Sequence, residues 1–190
     1  MTARQTTAAR LLQVIRHDIL PLTADGVAKG DKVFGAAVLQ NDALVIAATN
    51  REHSSGCPLW HGEMAAIADF YQMPRHPAAG GCVFLSTHEP CPMCASALAW
   101  AGFGEVYYLF DYADTAEVFD IRHDGDILRE LFAPCAGLNN NNRFFRLTAI
   151  DKLINGDAAL TAQRQEISAR YRKLSATYQR GKKDNAIPLK

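Results

Sequence analysis

Two short segments constrain this chain more than any other feature: Trp60-His61-Gly62-Glu63 and Glu89-Pro90-Cys91-Pro92-Met93-Cys94. Each stands at the start of a predicted helix, with one predicted strand between them. Cys91 and Cys94 are three positions apart, so one helical turn points both sulfurs the same way. The positive end of the helix dipole and free N–H groups lie beside them, which favours thiolate, the form that binds metal. One imidazole, from His61, and two thiolates suit zinc, and three protein ligands leave a fourth position open for water.

An open zinc site lowers the pKa of its water toward neutrality. The hydroxide then needs a proton carrier beside it. Glu63, two residues past His61, takes that role: it accepts a proton from the water, hands it to a ring nitrogen and later helps to protonate a leaving amine. The backbone N–H of Cys91 is the candidate donor near the zinc water. A Cys-x-x-Cys alone also fits a redox pair or half of a structural zinc site. The combination is far more specific: His-x-Glu, then twenty-six residues holding one strand, then Pro-Cys-x-x-Cys, the pattern of the zinc deaminases. A redox pair explains neither His61 nor Glu63. A closed structural site needs a fourth ligand such as Cys57, Cys82 or His88.

The bulk properties agree with an enzyme of ordinary size. A chain of 190 residues, 48% hydrophobic, fits one domain and buries a core without disulfide help. Residues 1–156 read as the zinc deaminase domain, and residues 157–190 as a C-terminal helix with a flexible basic tail on the same domain. The five cysteines are an odd number, and Cys57, Cys82 and Cys135 stand alone. No apolar run reaches the ~18 residues of a membrane span. Met1–Arg10 lacks an apolar h-region, so the expected compartment is the cytoplasm, with no membrane partner. The net charge is zero, yet residues 161–190 carry eight positive and two negative charges, which leaves that segment at +6 and the remainder at −6. A solvated helix face explains this, and a nucleic-acid contact surface is the sharper alternative.

Along the chain, Ala8–Leu20 reads as a helix stopped by Pro21, and Thr23–Lys32 as a loop. Val33–Leu39 and Leu44–Thr49 form a predicted hairpin around Gln40-Asn41-Asp42. Asn50–Trp60 is a surface loop and Gly62–Tyr71 a helix. Cys82–Thr87 is a strand, Cys91–Ala101 a helix closed by Gly102, and Val106–Phe110 a strand that the crossover makes parallel to the one before. Further on, Ile127–Phe132 is a short helix, Asn139–Asn142 a loop and Asp157–Arg180 a long polar helix, and residues 181–190 are expected to be disordered.

On these motifs the chain resembles the cytidine deaminase superfamily, in the branch that holds guanine deaminases, cytosine deaminases and tRNA adenosine deaminases. The similarity runs from about Val33 to Phe110 and includes Phe34-Gly35-Ala36, the loop Asn50–Trp60 and Ser86–Cys94. The resemblance implies a three-layer α/β/α fold with a five-stranded mixed sheet, its last strand placed at Arg146–Ile150. It also implies one zinc ion per chain and a homodimer with active sites near the interface. Asn50, eleven residues before His61, matches an asparagine that hydrogen-bonds the base, and its other role is a turn residue. Phe34 matches a pocket aromatic, or else packs in the core. Trp100, six residues after Cys94, matches a tryptophan of guanine deaminases. Glu89 caps the zinc helix. Two positions depart from the family pattern. Gly62 replaces the usual alanine and permits a closer approach, and Trp60 stands where relatives carry a small residue and narrows the pocket. Guanine deaminases read the guanine edge with a downstream acid, and Asp114 and Asp120 lie in that region. The implied function is hydrolytic deamination of a nucleobase or nucleoside, with a guanine-like purine favoured. The alternatives are adenosine-to-inosine editing of transfer RNA and a catalytically inactive zinc-binding interaction module.

Overall fold

The computed structural model describes residues 2–132 and 137–189, so Cys135 lies outside the described residues. The chain opens with α1 (Ala3–Val14), started by Thr2, whose hydroxyl and backbone exchange hydrogen bonds with Gln5. Ile15–Ile19 then form one π-helical turn, and α2 (Leu20–Ala28) continues without a break. Pro21 therefore does not stop the helix, and much of the predicted loop is helical. The reason is local. Pro21 sits in the first turn of α2, directly after the widened turn in which the Leu20 N–H reaches back to the Ile15 carbonyl. An opened turn spares proline the clash and lost bond that break a regular α-helix.

Strands β1 (Gly35–Gln40) and β2 (Ala43–Thr49) form the predicted hairpin. Its two turn residues, Asn41 and Asp42, have φ of 49° and 63°, the left-handed conformation that short polar side chains tolerate. The loop that follows contains a short helix, α3 (Glu52–Ser55), and then comes α4 (Gly62–Gln72). Next are β3 (Val83–His88), α5 (Pro92–Ala101) and β4 (Glu105–Phe110). Helices α6 (Tyr112–Glu117) and α7 (His123–Phe132) precede β5 (Arg146–Ala149), which falls where the fifth strand was expected. The chain closes with α8 (Asp151–Ile154) and α9 (Ala158–Gly181).

The sheet order is β2-β1-β3-β4-β5. β1 runs antiparallel to β2 and β3, whereas β3, β4 and β5 are mutually parallel, giving the mixed sheet. Alternation along β1 sorts the two cores. Ala36 and Val38 join Phe84, Val106, Phe70 and Leu98 beneath α4 and α5. Ala37 and Leu39 join Leu85, Leu109 and the buried faces of α1, α2 and α9 on the other side. Each buried aliphatic side chain contributes roughly 1.5–3 kcal/mol.

The C-terminal segment is not the disordered tail that its polarity suggests. Residues Lys182–Asp184 make a 3₁₀ turn, Asn185 donates to the Gly30 carbonyl at 3.3 Å, and Ile187 is buried. Part of the segment's positive charge is met within the chain: Arg164 pairs with Asp114 and Asp151, and Lys182 lies 3.9 Å from Asp120, while the segment's own Glu166 pairs with Arg16. No helix among the described residues is long and apolar enough to cross a membrane.

Candidate active site

The two helices that pack side by side under one face of the sheet bring the two motifs together. His61 is the N-cap residue of α4, Cys91 is the N-cap residue of α5, and Cys94 lies one turn into α5. The Nδ1 atom of His61 lies 3.6 Å from the sulfur of Cys91 and 3.6 Å from that of Cys94. A tetrahedral ion bonded at about 2.0 Å to nitrogen and about 2.3 Å to sulfur holds such atoms about 3.6 Å apart, so the donor set fits zinc in identity and spacing. Among the described residues this is the one His/Cys/Asp/Glu cluster with converging ligand atoms. The fourth ligands weighed for a closed site lie elsewhere. Cys82 packs in the core with its sulfur on the Ala78 carbonyl, Cys57 is not in the cluster, and His88 is enclosed by aromatic rings.

Electrostatics in the cluster are those of a site built for a cation. A hydrogen bond from Cys94 holds the Cys91 thiol down at about 4, helped by His61 and opposed by burial. Burial and the same hydrogen bond push Cys94 up. Burial pulls His61 down, but the bond to Cys91 and the charges of Cys91, Glu63 and Glu52 outweigh it and raise it to about 9. Glu63, in the first turn of α4, is buried beside these groups. Burial, then the Cys91 charge, pushes its carboxyl above the usual carboxylate range.

Several residues that complete the site carry no motif. Ser86 of β3 donates to Glu63 Oε1 at 2.9 Å and fixes that carboxylate. Its signal in the sequence is faint: Ser86 and Thr87 are polar residues at the end of an apolar strand. Asp124, in the first turn of α7, feels the charges of Cys91, His61, Glu63 and Lys32, and burial followed by Cys91 raises it to about 7. It also lines a cleft of about 520 Å³ with Tyr112, Ile121 and Arg122. Tyr112 ties this cleft to the cysteine loop by donating its hydroxyl to the Pro90 carbonyl at 2.6 Å.

The remaining sequence candidates divide. Phe34 is buried with its ring stacked near His61, at 6.5 Å between centroids and 16° between planes. Trp60 is half-buried just before His61, and its carbonyl accepts from the Arg51 N–H at 2.9 Å. Gly62 sits against β1: a Cβ there would stand 2.9 Å from Gly35 Cα and 3.0 Å from the Phe34 carbonyl oxygen. The closer approach that this glycine allows is therefore one of backbone to backbone.

Asn50 is fully buried, with its amide on Glu52 and its carbonyl accepting from the Lys32 and Glu52 N–H groups, so its polar atoms serve the loop. Trp100 is 92% exposed on the outer side of α5, beside Ser96, Arg143 and Phe144, and forms no wall of the metal cluster. Glu89 accepts from the Tyr112 N–H at 3.3 Å, so it caps α6 and not the zinc helix. Asp114 is held by Arg164, and Asp120 faces Lys182. Of the downstream acids, Asp124 is the one that feels the charges of Cys91, His61 and Glu63.

Residues 17–110 match the cytidine and deoxycytidylate deaminase zinc-binding region. A guanine deaminase of Bacillus subtilis (strain 168) is 31% identical over 115 residues, which cover 60% of this chain and 72% of that protein. The crystal structure of a guanine deaminase from Bacillus subtilis superposes with a TM-score of 0.55 at 25% identity, over 85% of this chain and 95% of that one. A guanine deaminase from Nitrosomonas europaea shares the fold at 19% identity, with a TM-score of 0.54 over 93% of this chain and 86% of that one. The matched region contains His61, Glu63, Cys91 and Cys94 together, and the chain belongs to the zinc-binding cytidine and deoxycytidylate deaminase family, as a hydrolase acting on carbon–nitrogen bonds.

Proposed function

We propose that this protein binds one zinc ion per chain through His61, Cys91 and Cys94 and deaminates a guanine-like purine, releasing ammonia. The observation that carries the reading is the convergence of those donors beside the buried Glu63, joined to the likeness to guanine deaminase. Zinc, when bound, supplies the charge that activates water for attack on an amino-bearing ring carbon.

The residues of the chain do the rest. Glu63 takes one proton from the attacking water and delivers it to the adjacent ring nitrogen. A carbon–oxygen bond forms at the ring carbon. Glu63 then carries the second proton to the amino group, the carbon–nitrogen bond breaks, and ammonia leaves a carbonyl behind. Ser86 keeps the carboxylate aimed through both transfers. The Cys91 backbone N–H is assigned to the oxygen as negative charge grows on it. Phe34 is assigned to one face of the ring, and Trp60 to the rim. Asp124 suits the N–H edge of guanine, since a carboxylate accepts two such bonds. A basic surface for a flipped nucleotide has less support, because the remainder of the chain, which holds the metal-ligand cluster, carries a net charge of −6.

We also read the protein as a homodimer, joined through the outer face of α5, where Trp100 and Phe144 are exposed.

Ammonia release from guanine, cytosine, adenine and their nucleosides tests the substrate, with guanine expected to lead. Glu63→Gln should keep the zinc content of the wild type and lose turnover by about 10²–10⁴-fold. Full activity in that variant, or release from none of these bases at full zinc occupancy, contradicts the reading.

A further inference from the structure

His61 has two ring nitrogens, and the second one is also engaged. Nδ1 faces the sulfurs, while Nε2 points the other way and lies 3.3 Å from Oε1 of Glu52. Glu52 belongs to α3, in the loop between β2 and α4, and is 2% exposed. A carboxylate so deep in a protein is costly unless its oxygens are satisfied. Here they are. The Lys32 ammonium lies 3.0 Å from Oε2, itself buried, and the Asn50 amide donates to Oε1 at 2.8 Å. The Asn50 carbonyl accepts from the Lys32 and Glu52 N–H groups at 3.2 and 3.1 Å, which ties the two charged residues to one another. Asp31 accepts from the Ser54 N–H at 2.8 Å and anchors the start of α3 to the same loop. The carboxylate therefore has one place to be, and it is neutralised where it sits.

This matters because a carboxylate accepts hydrogen bonds and donates none. An imidazole beside it must carry its proton on Nε2, which leaves the Nδ1 lone pair directed at the space between the two sulfurs. The acceptor also makes the ring a stronger donor to a metal and stops it rotating.

We propose that Glu52, clamped by Lys32 and Asn50, is the positioning residue that sets the tautomer and orientation of His61 for zinc. The inference rests on His61 being a zinc ligand, as read above. Asn50 serves the site through Glu52, and Lys32 balances the charge.

The test compares the full-length wild type with Glu52→Gln and with the double variant Lys32→Met/Glu52→Gln. The double variant removes the buried ammonium that Glu52→Gln leaves unpaired. Zinc affinity is measured by competition with a chromogenic chelator, the melting temperature is taken on metal-free protein, and the imidazole N–H proton is followed by NMR on zinc-loaded protein. Glu52→Gln should bind zinc about 10–100-fold more weakly. Its His61 N–H resonance should move upfield and exchange faster. The double variant should regain melting temperature but not zinc affinity. Recovery of wild-type zinc affinity in the double variant would assign the loss to the stranded lysine and overturn the proposal, as would unchanged affinity in both variants. A wild-type chain that binds no zinc would strike at the reading of the site itself, and the inference would fall with it.

Discussion

Gly62 shows how much a single hydrogen atom can decide. It meets the backbone of Gly35, and a Cβ on Gly35 would in turn meet Ile19 Cγ2 at 2.4 Å. The start of α4 and β1 are thus stacked backbone to backbone at this point, and the Ile19 side chain of the π-helical turn fills the space that a Gly35 Cβ would need. Gly62→Ala should push α4 outward and cost about 1–3 kcal/mol, read as a shift of the denaturation midpoint, because the clashing atoms are backbone and cannot rotate away. His88 offers a second test. Burial holds its pKa at about 3, and its ring sits among Phe34, Phe110, Phe119 and Tyr171. The unfolded chain takes up a proton there near the ordinary value of 6.5, while the folded chain does not until about 3. Between those values the unfolded state binds more protons, so stability falls as the pH falls, by at most about 1.4 kcal/mol per pH unit. His88→Leu should narrow the difference between denaturation midpoints at pH 5 and pH 7. The metal ligands and Glu63 were legible because their chemistry demands fixed residue types at fixed spacings. Glu52, Lys32 and Asp124 were not, because they reach the cluster from three separate stretches of chain and no local pattern marks them.

At the level of elements, legibility followed locality. The hairpin declares itself through two apolar, β-rich runs around a polar Gln-Asn-Asp turn, and β5 fell at its expected place. α9 shows Leu160, Ile167, Tyr171 and Tyr178 on one buried face. Besides the short helices α3, α6 and α8, two features escaped, each for a reason outside its own sequence. The helix passes Pro21 because the turn before it is widened, and the segment around Asn185 and Ile187 packs on the fold because Ile187 finds a buried place there. α9 does more than cover a face. Ser175 and Gln179 donate to the Phe119 carbonyl at 2.9 and 2.8 Å, so the helix secures the link between α6 and α7, the helix that carries Asp124. A chain ending at Gly181 loses the Ile187 and Asn185 contacts. It should be about 1–3 kcal/mol less stable, measured by chemical denaturation.

At the scale of the whole molecule, a neutral chain is divided into +6 and −6 parts, and a few ion pairs cross between them. Arg164 spans from α9 to α6 and α8, and Arg16 reaches Glu166. The conspicuous surface is instead apolar: Trp100 and Phe144 stand exposed together, with Arg143 over the Phe144 ring at 4.6 Å. If that face joins two copies, Trp100→Glu should shift sedimentation from dimer to monomer at micromolar concentration while leaving the melting transition of the monomer in place. One more property of the molecule follows from the single π turn at Ile15–Ile19. Dropping one residue there would yield a tidier, uniformly wound rod from Ala3 to Ala28. It would also swing everything upstream by about 100° about the rod's axis, carrying Leu11 and Leu12 away from the apolar bed they now occupy. The irregular winding is thus a spacer, one residue long, that lets both ends of a single rod grip the same core.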